Sequence, residues 1–234
     1  MTATIGGADR ASAHLAVTRA GWHRVAEHIL ASALYQATGK IGLVPSPGGF
    51  RTPPFGTDGR FLAVDGTELV AGRGGGIKRT PLTTIRAAAE FAGVTPGAPA
   101  EVYQPATPLD LDGPLVIESD AARLLAQWYG LGAAALSRFA AEIPGDKPTT
   151  PVLWPEHFDV GTTITMASGE RVNLGASPGD DYLDEPYAYI GPWGDRRGDP
   201  AFWNAPFGAA RPRVEVSTVE SFVEFLRVGL SLQP

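Results

Sequence analysis

The chain has 234 residues, no cysteine, a formal net charge of −6 and 44% hydrophobic residues. That composition supplies a real core and excludes disulfides, thiolate metal sites and cysteine nucleophiles. The acidic balance argues against a surface that tracks phosphates, so nucleic acid is not an expected partner.

Residues 1–11 are rich in Gly, Ala and Thr and read as a frayed tail. No charged start followed by an apolar run suggests export, and no stretch of ~18 apolar residues suggests a membrane span. The expected location is the cytoplasm. From Ser12 to Ala37, Leu15, Trp22, Val25, Ile29, Leu30, Leu34 and Tyr35 recur at helical spacing, with Gly21 as a point where the helix could split.

After Gly39 the pattern changes to short apolar runs broken by Gly and Pro. KIGLV (40–44), RFLAVDG (60–66) and TELVAG (67–72) read as strands, and Asp65-Gly66 reads as a two-residue hairpin turn. PSPGGFRTPPFG (45–56) reads as a loop that brings Arg51 to a ligand. AGRGGGIKRTP (71–81) reads as a flexible connector or a weak anion loop, and it lacks the spacing of a phosphate-binding motif. Thr80-Pro81 predicts the start of a helix that closes on Gly93.

The proline-dense stretch 96–114 reads as an extended strap. A long helix is predicted from Ser119 to Ile143, then strands over 151–193, a strand RVEV (213–216) and a last helix from Thr218 to Leu230. The fold class is α+β, mainly antiparallel sheet with about four main helices. Two organisations stand: one compact domain over 12–234, or two packed α-β-α halves (12–95 and 115–234) joined by the strap. PPFG at 53–56 and APFG at 205–208 are the mark a degenerate duplication would leave, against the plainer reading that α+β chains often alternate this way.

Candidate chemistry concentrates in 154–193. Read as a strand from Glu156, alternation puts His157, Asp159, Thr163 and Thr165 on one face and Phe158, Val160, Ile164 and Met166 on the other. An Ala167-Ser168-Gly169 loop then aligns Ile164 with Val172, Thr163 with Asn173 and Asp159 with Ser177. That register carries Asp180 and Asp181 toward His157 and Asp159, with Glu185 within reach. His157 and Asp159 are the candidate acid–base pair, and His157, Asp159, Asp180, Asp181 and Glu185 the candidate ligands of a divalent metal. The competing reading is a turn-rich surface loop whose aspartates close Asx-turns.

PYAYIGPW alternates so that Tyr187, Tyr189 and Trp193 share a side opposite Ala188 and Ile190. Together with Arg51, Trp154, Tyr182, Trp203 and Asn204, these rings predict an aromatic and acidic pocket for a small molecule. The leading expectation is a binding protein, and the alternative is a hydrolase- or lyase-type enzyme using His157 and Asp159. Oligomeric state is not legible.

TGKIGLVPSPGGFRTPPFG, YQPATPLDLDGPL, VLWPEHFDV, VNLGASPGDDYLDEPYAYIGPW and FWNAPFGA together resemble an uncharacterised family of actinobacterial proteins. They are more distantly similar to a broader bacterial domain of unknown function that shares K-I-x-L, W-x-x-x-F-D and S-P-G in that order. The resemblance covers roughly residues 20–230 and implies a soluble protein, with no activity or catalytic residue attached to it.

Overall fold

A computed structural model describes residues 5–143, 150–166, 168–196 and 198–232, without side chains for 5–9. The fold is α+β, with two five-stranded antiparallel sheets in the orders β1-β2-β3-β4-β5 and β10-β9-β8-β7-β6. The chain divides into two compact units, one of residues 1–127 and 153–158, the other of 128–152 and 159–234. The division falls inside a helix instead of at the strap, which belongs to the first unit.

The first unit opens with a long helical rod: α1 (Ile5–Val25), a π-helical turn (Ala26–Ala31) and α2 (Ser32–Thr38), closed by Gly39 in the left-handed region at φ 70°. Gly21 does not split the rod. A Cβ there would stand 3.1 Å from the Val116 carbonyl oxygen, so the glycine lets the backbone just after the strap approach. The helix starts at Ile5, inside the segment expected to fray.

The first sheet contains β1 (Val44–Ser46), β2 (Gly49–Arg51), β3 (Phe61–Asp65), β4 (Glu68–Arg73) and β5 (Gly76–Pro81). Asp65 pairs with Glu68, so the hairpin turns on Gly66 and Thr67, one residue later than expected. Gly66 takes φ 60°, which a first central position in a primed turn demands. The supposed anion loop is another hairpin, with Arg73 paired to Gly76 and Gly74 and Gly75 both at positive φ. Pairing of β5 runs through Thr80 and Pro81, so the helix start moves. α3 (Ile85–Ala92) is capped by Thr84, whose side chain accepts the Ala87 N–H, and it closes on Gly93 as expected.

The rod buries Trp22, Val25, Ile29, Leu30 and Leu34 with Phe50, Leu62, Leu69 and Ile85, each such side chain stabilising the fold by about 1.5–3 kcal/mol. Trp22 meets Phe50 edge-on at 5.6 Å, and Phe50 meets Phe158 at 5.5 Å. The Trp22 indole N–H donates to the Gly66 carbonyl at 3.0 Å, so a fully buried ring keeps its polar atom satisfied.

α4 (Ser119–Glu142) begins in the first unit and continues into the second. β6 (Val152–Trp154) follows, with Leu153 bridged to Leu43. The second unit then runs through β7 (Asp159–Thr165), β8 (Arg171–Ser177), β9 (Tyr187–Pro192), β10 (Ala209–Pro212) and α5 (Val219–Ser231). β10 falls before the predicted RVEV strand, because residues 213–216 close tight turns back onto Pro212 and Arg213. α5 starts where predicted, with Thr218 and Ser221 capping each other's backbone N–H.

One face of the second sheet is apolar. Val160, Ile164, Val172, Leu174, Ala176, Ala188 and Ile190 are buried, and Trp128 of α4 stacks on Phe222 of α5 at 5.8 Å. Two glycines permit this closeness: a Cβ on Gly132 would stand 2.5 Å from that of Ala176, and one on Gly229 would stand 2.8 Å from Ile190. Among the described residues, no helix is long and apolar enough to cross a membrane.

Candidate functional site

The predicted register of the central hairpin holds: Thr163 pairs with Asn173 and Ile164 with Val172. Met166 and Glu170 close the loop, with Gly169 at φ 84°; Ala167 lies outside the described residues. Ser177, Gly175 and Asn173 pair with Tyr187, Tyr189 and Gly191 in turn, and Gly161 lies opposite Gly175. Strand alternation therefore gathers Tyr187, Tyr189, Ser177, Asn173, Thr163 and three glycines on the face turned away from the apolar one.

Tyr189 fills the space that Gly161 and Gly175 leave. A Cβ on Gly175 would overlap its ring, and one on Gly161 would stand 3.2 Å from its hydroxyl. That hydroxyl donates to Asp159 Oδ2. Burial, reinforced by the Asp159 carboxylate, pushes the Tyr189 phenol well above its usual range, so it stays a proton donor. Tyr187 behaves alike: its hydroxyl donates to Asp180 Oδ2 at 2.6 Å, and burial with that bond raises its pKa.

Asp180 is committed as an Asx-turn. Its Oδ1 accepts the N–H groups of Tyr182 at 2.9 Å and Leu183 at 3.3 Å. Tyr182 donates its hydroxyl to the Asn204 carbonyl at 3.1 Å and meets Phe207 edge-on at 5.1 Å. Asn204 clamps Ala210 through both amide atoms, accepting its N–H at 2.9 Å and donating to its carbonyl at 3.2 Å. Trp203 is half-buried and packs edge-on against Phe202 at 4.9 Å. Of the predicted rings, Tyr182, Tyr187 and Tyr189 come together within the second unit, joined by Phe207, while Trp203 packs on Phe202 instead.

At the far end of the same face, Trp193 is 60% exposed, yet two neighbours hold its ring. Its indole N–H donates to Asn173 Oδ1 at 3.0 Å, and the Arg171 guanidinium carbon lies 3.9 Å from the ring centroid. Thr163 donates to the same Asn173 oxygen at 2.9 Å.

The acidic half of the prediction is arranged differently. The strand does not start at Glu156. Residues 155–158 form a turn in which the Phe158 N–H donates to the Trp154 carbonyl at 2.7 Å, and Phe158 takes φ 55°. His157 is exposed on that turn in the first unit, while Asp159 opens β7 in the second. Asp181 and Glu185 are exposed, and Trp154 is 37% exposed on β6. Among the described residues, no group of three or more His, Asp or Glu side chains is placed to hold a metal ion. Arg51 sits on β2 of the first sheet and donates to the Thr52 carbonyl at 3.2 Å, so it belongs to a hairpin and not to an open loop.

Sequence reasoning missed a second polar cluster, in the first unit. Glu27 and His28 lie on the π-helical turn and are fully buried. Glu27 Oε1 accepts the Ala106 N–H at 2.9 Å, and Oε2 accepts the Thr107 N–H at 2.8 Å and the Thr107 hydroxyl at 2.5 Å. His28 Nδ1 accepts the Ala98 N–H at 3.1 Å, which makes Nε2 the protonated nitrogen, donating to the Thr107 carbonyl at 3.1 Å. The His28 carbonyl accepts the Gly97 N–H at 3.1 Å. One turn earlier, His23 stacks on Phe158 at 4.7 Å and bonds the Pro155 carbonyl at 2.7 Å.

Burial lowers the pKa of both histidines, more than the Glu27 carboxylate raises it. The same burial raises the Tyr103 phenol, helped by Glu27 and Glu156. The signal was readable as H-R-V-A-E-H (23–28), polar residues inside an apolar helical run. Their spacing i, i+4, i+5 shares one face only if the helix widens to i→i+5 bonding.

Comparisons of the chain with protein-family models, with curated proteins and with solved structures found no match.

Proposed function

We propose that the protein binds a small molecule on the polar face of the second sheet, between the tyrosine cluster and Trp193. The observation that carries this reading is Trp193 itself. A large exposed ring normally keeps its rotamer freedom, but here Asn173 holds its edge and Arg171 covers one side. A ring immobilised before contact removes about 0.5–1.5 kcal/mol of side-chain ordering cost from binding. Tyr189, half-buried with its hydroxyl already bonded to Asp159, adds a second fixed ring, and the buried Tyr187, bonded to Asp180, braces it from within. A hydrolase- or lyase-type reaction at His157 and Asp159 draws no support from this arrangement, since Asp159 is engaged by Tyr189 and His157 lies on an exposed turn.

Thermal unfolding of wild type and Trp193→Ala against a panel of sugars, nucleosides, amino acids and organic acids tests the reading. A true ligand at about 100 times its Kd stabilises wild type by about 2.7 kcal/mol, and the variant should lose that gain. Ligands that stabilise both proteins equally, or a panel without effect, would overturn it.

A further inference from the structure

We infer that the Trp193 end of this face is a stacking site for a neutral saccharide ring. The inference rests on the binding reading above and names its ligand class. The indole N–H is already spent on Asn173 Oδ1, so Trp193 offers a partner only its flat apolar face. A pyranose ring matches such a surface, with C–H groups on one side and hydroxyls around its rim.

The second requirement is a polar group beside the plane, and Asn173 supplies it. Its Oδ1 accepts from both Trp193 and Thr163, at 3.0 Å and 2.9 Å, which fixes the amide's orientation. The Nδ2 group is thereby turned the other way. It has no hydrogen-bond partner among the described residues, and Asn173 is half-buried. A neutral amide donor at the edge of an apolar plane suits a ring hydroxyl oxygen.

Other ligands fit less well. A plain aromatic hydrocarbon would leave the Asn173 donor unsatisfied, which costs binding. A cation would share the indole with Arg171, already 3.9 Å from its centroid, and meet like charge across the ring. An adenine read by asparagine needs both amide atoms, and Oδ1 here is saturated by two donors.

The test is an NMR titration of the full chain, following the indole N–H signals of its five tryptophans. The probes are glucose, galactose, N-acetylglucosamine, maltose and cellobiose, with adenosine and phenylalanine as competing classes. The Trp193 signal is assigned by its loss in Trp193→Phe. The expected result is a saturable shift confined to Trp193 with at least one saccharide, and an affinity weakened about tenfold in Asn173→Ala, roughly one hydrogen bond's worth. The amide spectrum of each variant reports that it is folded. A Trp193 shift with adenosine or phenylalanine and with no saccharide would sink the saccharide inference and leave the binding reading standing. No shift with any probe would overturn both.

Discussion

Replacing Glu27 by alanine should be among the most damaging single changes in the first unit. The carboxylate is fully buried and takes three hydrogen bonds from the strap, two from backbone N–H groups of Ala106 and Thr107 and one from the Thr107 hydroxyl. Hydrogen bonds to a charged acceptor each contribute about 1.5–3 kcal/mol, but truncation also strands donors away from water. Removing one partner of such a buried charged arrangement costs about 3–5 kcal/mol. With a urea slope of about 2 kcal/mol per molar, the midpoint should fall by about 2 M. Glu27→Gln should recover little, because its amide turns a donor toward one of the strap's donors. Amide exchange at Ala106 and Thr107 gives the local readout, and both should accelerate by several orders of magnitude. A loss below about 1 kcal/mol, with those amides still protected, would refute the idea that Glu27 anchors the strap.

Two more outcomes follow from the same geometry. His23 and His28 both have folded-state pKa values below the ordinary 6.5, so the unfolded chain takes up their protons first; stability is full above pH 6.5 and falls as pH drops below it. His28→Gln, which keeps a donor and an acceptor but does not titrate, should flatten that fall in urea midpoints between pH 7 and 5; an unchanged slope would count against it. In the second unit, Gly175→Ala would drive a methyl into the Tyr189 ring and should cost about 1–3 kcal/mol. Tyr189→Ala should absorb most of that cost in the double variant, so strictly additive losses would show the ring is not what the methyl meets.

Legibility in the sequence tracked how local the physics was. Strand parity in 159–193 was readable, because alternation and a glycine-closed loop set the pairing of Thr163 with Asn173 without distant help. Gly39 and Gly93 end helices as glycine endings do, by local backbone freedom. The Thr80-Pro81 signal misled because Thr84 carries an equally good cap and the ladder to β4 absorbed the earlier pair. The proposed meeting of His157 with Asp159 failed on one residue: Phe158 adopts φ 55° and ends the turn, breaking the alternation that would have put both side chains on one face. Glu27 and His28 stood out only as polar residues in an apolar helical run; their partners were not legible, because these lie about 70–80 residues away in a proline-rich segment with no periodicity.

The noncontiguous make-up of the first unit bears on how the chain matures during synthesis. Leu153 bridges Leu43, and Phe158 lies against Phe50 and His23, so this unit's hydrophobic interior is incomplete until residue 158 has been made. By then α4 and the opening of the second unit are already on the ribosome's product. No single cut therefore yields a finished amino-terminal half, and a nascent chain arrested at 127 would lack the Phe158 side of Phe50 and the Leu153 bridge to Leu43.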